Sequence, residues 1–126
     1  MSYRILVINP GSTSTKIGVY EDEQLLFDKT LRHSAEDIAQ FKTIAAQKDW
    51  RRDLVMRALR EQGIDARTLS AVSGRGGLLR PIRGGTYAVN YNMVTDCTIG
   101  IQGQHASNLG GLIAREIGDE LGIPSY

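Results

Sequence analysis

The chain has 126 residues, 41% of them hydrophobic and 23% charged, with 15 Lys plus Arg against 14 Asp plus Glu. This is the composition of one ordinary globular domain with room for a real core, and a net charge of +1 gives no global pull toward nucleic acid or a membrane surface. The single cysteine, Cys97, excludes an internal disulfide and suits a reducing cytosol, so a cytoplasmic setting is expected.

No signal peptide is expected, because the first apolar run, Ile5-Leu6-Val7-Ile8, is short and is broken by Asn9-Pro10. No stretch approaches the length of a membrane span. The apolar run reads as a buried strand and Asn9-Pro10-Gly11 as a sharp turn. Strand character returns at Lys16-Ile17-Gly18-Val19-Tyr20, so residues 4–8 and 16–20 are expected to form a hairpin. Its tip offers the Asn9 amide, N–H groups beside Gly11, the hydroxyls of Ser12, Thr13, Ser14 and Thr15, and the Lys16 ammonium. Such groups suit a polyanion such as the phosphates of a nucleotide. A Walker-type loop is rejected, since the second glycine is missing and β-branched residues follow where a helix would open. A polar turn without a ligand is the competing reading.

Glu21-Asp22-Glu23-Gln24 is a charged turn, and a third strand starts at Leu25-Leu26-Phe27 and runs to Leu31. Three antiparallel strands on short turns make a meander, the first half of a mixed sheet. Ser34 opens a capping box with Asp37, and Ile38, Phe41, Ile44 and Ala45 follow at helical spacing. A second helix starts near Asp49, with Trp50, Leu54, Ala58 and Leu59 on one face and Gly63 ending it. Arg51-Arg52-Asp53 reads as a solvated face.

Leu69-Ser70-Ala71-Val72-Ser73 is a short strand that follows a helix, so it is expected parallel to the first strand and central. Ligands collect beyond the C-terminal ends of such strands, which puts Arg75 of Gly74-Arg75-Gly76-Gly77 where a functional arginine belongs. The triplets Arg75-Gly76-Gly77 and Arg83-Gly84-Gly85 also invite an RNA-binding reading. Apolar flanks and the low net charge count against it. Tyr87-Ala88-Val89-Asn90-Tyr91 reads as extended, and residues 93–101 as a short helix closed by Gly100. A clear helix then runs to Leu121 with Leu109, Leu112, Ile113 and Ile117 on one face. Gly110-Gly111 costs it about 1 kcal/mol per glycine, which implies a strand or ligand packed very close. His33 is expected at a strand end. Cys97 is expected in packing, since no base flanks it.

Three separated motifs now align with one family. Asn9-Pro10-Gly11-Ser12-Thr13-Ser14-Thr15-Lys16, Gly74-Arg75-Gly76-Gly77-Leu78-Leu79, and Gly103-Gln104-His105-Ala106-Ser107-Asn108-Leu109-Gly110-Gly111 together closely resemble the butyrate kinases. These are a branch of the acetate kinase group within the actin/sugar-kinase/Hsp70-like superfamily. Pro10 and the Arg-Gly-Gly-Leu-Leu run favour that branch over the acetate kinases. The resemblance implies an α/β fold of ribonuclease H-like, actin/Hsp70 type: a mixed sheet with an antiparallel three-strand meander plus parallel strands, flanked by helices.

It also implies a reaction, reversible transfer of the ATP γ-phosphoryl group to butyrate or a similar small carboxylate, with Mg²⁺. Two anions must meet in line, so cations and N–H donors have to offset their repulsion. By resemblance Asn9 lies near the phosphates and Mg²⁺, and Gly11, Ser12, Ser14 and Lys16 face the phosphates. Arg75 holds the substrate carboxylate or the transferring phosphoryl group, and His105 donates to developing negative charge. The plain alternative for His105 is a helix N-terminal histidine bonded to backbone.

Family members are longer and two-lobed. The chain is therefore expected to be the N-terminal lobe, residues 1–126, without the second lobe that carries the adenosine site, and to have negligible turnover alone. The final helix would then lie against missing structure, giving an apolar patch and self-association or a partner. The competing class is a non-catalytic binding module that kept the fold.

Overall fold

The computed structural model describes residues 2–126. Strand β1 (Arg4–Pro10) and strand β2 (Ser14–Glu21) form the expected hairpin in antiparallel register, with Leu6 opposite Val19 and Ile8 opposite Ile17. Alternation puts Leu6, Ile8, Ile17 and Val19 on one face, all essentially buried, and Val7, Asn9, Lys16 and Gly18 on the other. Strand β3 (Gln24–Arg32) completes the meander, with a bulge opposite Val19 and Tyr20.

The first helix is shorter than its sequence spacing suggests. Helix α1 (Ala35–Ala39) has only five residues, with the Ser34 hydroxyl accepting from the Asp37 N–H at 3.1 Å. Residues 40–44 leave the helix, and a single 3₁₀ turn (Ala45–Gln47) leads into α2 (Lys48–Glu61). The apolar spacing there serves a bend, in which Phe41 packs on Trp50 with ring centroids 5.3 Å apart. Gly63, at φ +78°, ends α2 as expected. The buried stripe of α2 is Arg51, Val55, Ala58 and Leu59, one position round from the expected Trp50 and Leu54.

Strand β4 (Ala71–Gly74) lies parallel to β1, in the sheet order β3-β2-β1-β4. The chain end returns to its far side. Val72 bridges Ser125 in parallel, and the Tyr126 N–H donates to the Val72 carbonyl at 2.9 Å. The parallel pairing expected of a strand that follows a helix is present, but β4 is the edge of the four-strand sheet rather than central, with only the chain end at Ser125 and Tyr126 on its far side. The piece expected to be extended at residues 87–91 forms no strand; Val89 alone donates to the Ser125 carbonyl. Helix α3 (Tyr91–Ile99) is capped by the Asn90 side chain and closed by Gly100.

Helix α4 (Asn108–Leu121) packs on β4, β1, α2 and α3, with Leu109, Ile113 and Ile117 fully buried. Each such side chain contributes roughly 1.5–3 kcal/mol. The expected bare flank on this helix is absent, because the sheet and two helices of the same chain cover it. Its glycine does meet a strand: a Cβ on Gly110 would fall inside the carbonyl of Arg75, and one on Gly74 inside the carbonyl of Gly110. Strand and helix approach here backbone to backbone. The helices thus cover one face of a mixed four-strand sheet.

Candidate functional site

The strand-turn-strand at the end of β1 is pinned from the core side. Gly11 donates its N–H to the Ser14 carbonyl at 2.7 Å, and the His33 N–H donates to the Thr13 carbonyl at 2.9 Å. The other carbonyls are taken by Arg51, whose side chain is wholly buried. Its Nη1 donates to the Gly11 carbonyl at 2.7 Å, the Ser14 carbonyl at 2.9 Å and the Thr15 hydroxyl at 3.2 Å. Nη2 reaches the Ser12 carbonyl at 3.4 Å, and Nε and Nη2 both donate to Gln47 Oε1, at 3.0 and 2.8 Å. Reading residues 51–53 as a solvated face fails at its first member: Arg51 is core, Arg52 is half-buried against Glu120, and only Asp53 is well exposed. A guanidinium fork serves here because five fixed donors can hold several carbonyls at once.

With the carbonyls drawn inward, the turn presents its other groups to solvent. Among the described residues the N–H groups of Ser12 and Thr13 have no acceptor, and both residues are exposed. Asn9 and Lys16 are direct cross-strand partners on the face away from the core. Ser14 shares that face and pairs with Arg32. Arg32 is a cation that no motif announced; only the register brings it to the turn.

The tip of β4 arrives beside this turn. The Arg75 N–H donates to the Ile8 carbonyl at 2.9 Å, so continuing the parallel register by one residue sets Arg75 beside Asn9. Arg75 is exposed, and among the described residues neither it nor Lys16 has a carboxylate partner. His105 is exposed, just ahead of α4, whose first turn rests on Arg75 and Gly77. Its Nδ1 accepts from the Ser107 N–H at 3.1 Å and lies 2.8 Å from the Ser107 hydroxyl. A ring nitrogen that accepts carries no hydrogen, so the neutral imidazole keeps its proton on Nε2. The backbone contact expected of a helix-opening histidine is therefore present, and it leaves one N–H donor unused.

Beyond β4 opens a cavity of about 490 Å³, lined by Arg75, Leu79, Arg80, Val94, Cys97 and Leu112 among others. Arg80 is held by Asp96 at 3.1 Å. The Cys97 thiol is pushed up by burial and by Asp96, which suits a packing role rather than a nucleophile. The turn residues and His105 do not line this cavity; Arg75 does, and it is the member common to the turn side and the cavity side. Asn108, almost fully buried, ties the neighbouring loops together. Its Oδ1 accepts from the Leu78 N–H at 2.7 Å, and its Nδ2 donates to the Gly103 carbonyl at 3.0 Å.

Behind the turn, the Thr15 hydroxyl accepts from Arg51 at 3.2 Å and is hydrogen-bonded to His33 Nε2 at 2.8 Å. His33 sits at the end of β3, stacked on Trp50 with centroids 4.7 Å apart. Burial, then the Arg51 charge, hold its pKa below the usual imidazole value, with Asp37 partly opposing. Burial alone holds the Arg51 pKa down to about 10, so it stays charged at neutral pH.

No protein-family model matches the chain. Curated relatives do. The chain is 59% identical over all 126 residues to a probable butyrate kinase of Clostridium botulinum, and 58% identical over 124 residues to butyrate kinase 1 of Clostridium acetobutylicum. It is 47% identical over 126 residues to butyrate kinase 2 of the latter organism. These matches take in 98–100% of this chain but only 35–36% of each relative, so the chain spans about a third of their length. Among solved structures, YeaZ from Pseudomonas aeruginosa aligns with 98% of this chain and 42% of its own, at 10% identity and a TM-score of 0.48, a likeness that carries no argument. Along its whole length, the chain is homologous to part of the proteins named butyrate kinase.

Proposed function

We propose that the chain is the N-terminal lobe of a two-lobed kinase that moves the γ-phosphoryl group of ATP onto butyrate or a similar short carboxylate, giving ADP and an acyl phosphate. The observation that carries the reading is the position of Arg75. It stands between a turn rich in free N–H, hydroxyl and cationic groups and a largely apolar cavity. In this assignment Ser12, Ser14, Lys16 and the outward N–H groups hold phosphate oxygens. The aliphatic tail lies against Leu79, Val94 and Leu112, and the Arg75 fork draws the two anions together. The unused Nε2–H of His105 donates to the oxygens that gain charge during transfer.

Mg²⁺ fits this donor set in a limited way. Among the described residues no cluster of three or more His, Cys, Asp or Glu could cage a metal. Asn9 can lend one amide oxygen to an ion carried chiefly by phosphates and water, the usual habit of Mg²⁺. When bound, the ion neutralises phosphate charge. The nucleotide's adenosine and the rest of the cleft belong, in this reading, to the part of the relatives that the chain does not span. No helix among the described residues is long and apolar enough to cross a membrane; a cytoplasmic setting is part of the proposal.

The experiment replaces the matching third of the Clostridium botulinum relative with this chain and traps acyl phosphate from ATP and butyrate as the hydroxamate. We expect turnover in the chimera and none in the isolated chain. Arg75→Ala in the chimera should lower kcat about a hundredfold or more, the scale of losing one transition-state donor. A folded chimera that is inactive while the parent relative turns over, or one indifferent to Arg75→Ala, would overturn the assignment.

A further inference from the structure

Arg51 is a buried cation without an anion. No carboxylate among the described residues lies within ion-pair distance of it, and every acceptor it meets is neutral: three carbonyls, one hydroxyl and one amide oxygen. Taking such a charge out of water costs several kcal/mol when nothing opposite answers it. The carbonyls of residues 11, 12 and 14 turn their negative ends to the guanidinium, so the positive ends of the same turn face solvent at Ser12 and Thr13. The turn dipoles and the charge behind them point the same way.

We propose that Arg51 is a positioning residue for phosphate: it sets the conformation of the turn, and its unneutralised charge, one layer below, strengthens the hold of that turn on an anion. This rests on the reading of the turn as a phosphate site. Gln47 is the natural place for a counter-charge, since its Oε1 already receives both Nε and Nη2. A glutamate there would hold the same fork in the same place. A neutral amide instead leaves the charge free to act across the turn.

The test uses the 126-residue chain, inorganic pyrophosphate at low fixed ionic strength, NMR titration and thermal unfolding in parallel. Gln47→Glu keeps the fork and cancels the charge. It should unfold no earlier than the parent, yet bind pyrophosphate about five- to tenfold more weakly, the scale of one charge acting through a partly buried layer. Arg51→Lys keeps the charge but loses the fork; it should lose thermal stability and still bind more tightly than Arg51→Met. A folded Gln47→Glu that binds as tightly as the parent overturns the proposal. So does equal binding by Arg51→Lys and Arg51→Met, the comparison that decides should Gln47→Glu not fold. Failure of the parent to bind pyrophosphate refutes the phosphate reading itself.

Discussion

The turn at residues 11–14, which ends on the first residue of β2, and the loop at residues 75–87 border the same candidate site, but they are held in opposite ways. The turn has each of its four carbonyls bonded, three of them by one buried side chain. In the loop, residues 80–88 are all exposed and none of their backbone N–H groups meets a backbone acceptor. Its ties are few: the Arg75 N–H to the Ile8 carbonyl, the Leu79 N–H to the Gly77 carbonyl, Leu78 to Asn108, Arg80 to Asp96, and the Tyr87 hydroxyl to the Arg83 carbonyl. A stiff element suits groups that must meet a fixed tetrahedral anion. On the proposed function, a loosely tied wall suits a cavity that would admit a small apolar tail.

The largest expected effect falls at the junction of the two regions. Gly74→Ala drives a methyl group into the Gly110 carbonyl, with backbone on both sides and nothing free to swing away. We expect a loss of about 3 kcal/mol in urea unfolding. Hydrogen exchange should rise in the loop while the hairpin of β1 and β2 keeps its protection. A cost under about 1 kcal/mol would show that helix and strand part easily here.

Next, Arg51→Met strikes the turn alone. Orphaned turn carbonyls cost more than the relief of a buried charge returns, for a net loss of about 2 kcal/mol. Exchange of the Gly11 and His33 amides should accelerate and the loop should not change. A loop that responds as strongly as the turn would break the contrast.

On the loop side, Asn90→Ala removes the side-chain acceptor for the Met93 N–H, 2.9 Å away, at the start of α3. About 1 kcal/mol is expected, with faster exchange across residues 91–94. An unchanged denaturation midpoint would show that the cap adds nothing beyond what water supplies.

The smallest effect is one of pH. His33 is held below its unfolded pKa, so around and below that value the unfolded chain binds more protons than the folded one. The stability associated with neutral His33 is present above the unfolded pKa and is lost as pH falls toward the folded one. Thermal unfolding between pH 7.5 and 5 should therefore fall with acidity, and His33→Gln should flatten part of that slope. An identical slope in the variant would remove His33 from the account.

Strands β1 to β3, helix α4 and the glycine contact at Gly110 were all legible, because each follows from a local period or from a residue type placed where its cost needs a reason. The groups displayed at the turn, its hydroxyls and its lysine, were legible in the same way; that they hold an anion is the proposal. Residues 38–45 misled, because apolar spacing records which side chains are buried and not whether the backbone between them stays helical. Arg51 was hidden for the opposite reason. A charge near Arg52 and Asp53 looks solvated until the acceptors that hold it are known, and all of them but Gln47 come from residues 36 to 40 positions earlier in the chain.

Local chemistry in the chain decided the elements and the groups displayed at the turn, because periodicity, caps and turn residues act over a few neighbours. Only the tertiary structure decided which cation lies beneath that turn, which arginine joins β3 to it, and that Arg75 lines a cavity shared with α3 and α4. Those relations run between segments far apart in sequence, and register and packing, not composition, bring them together.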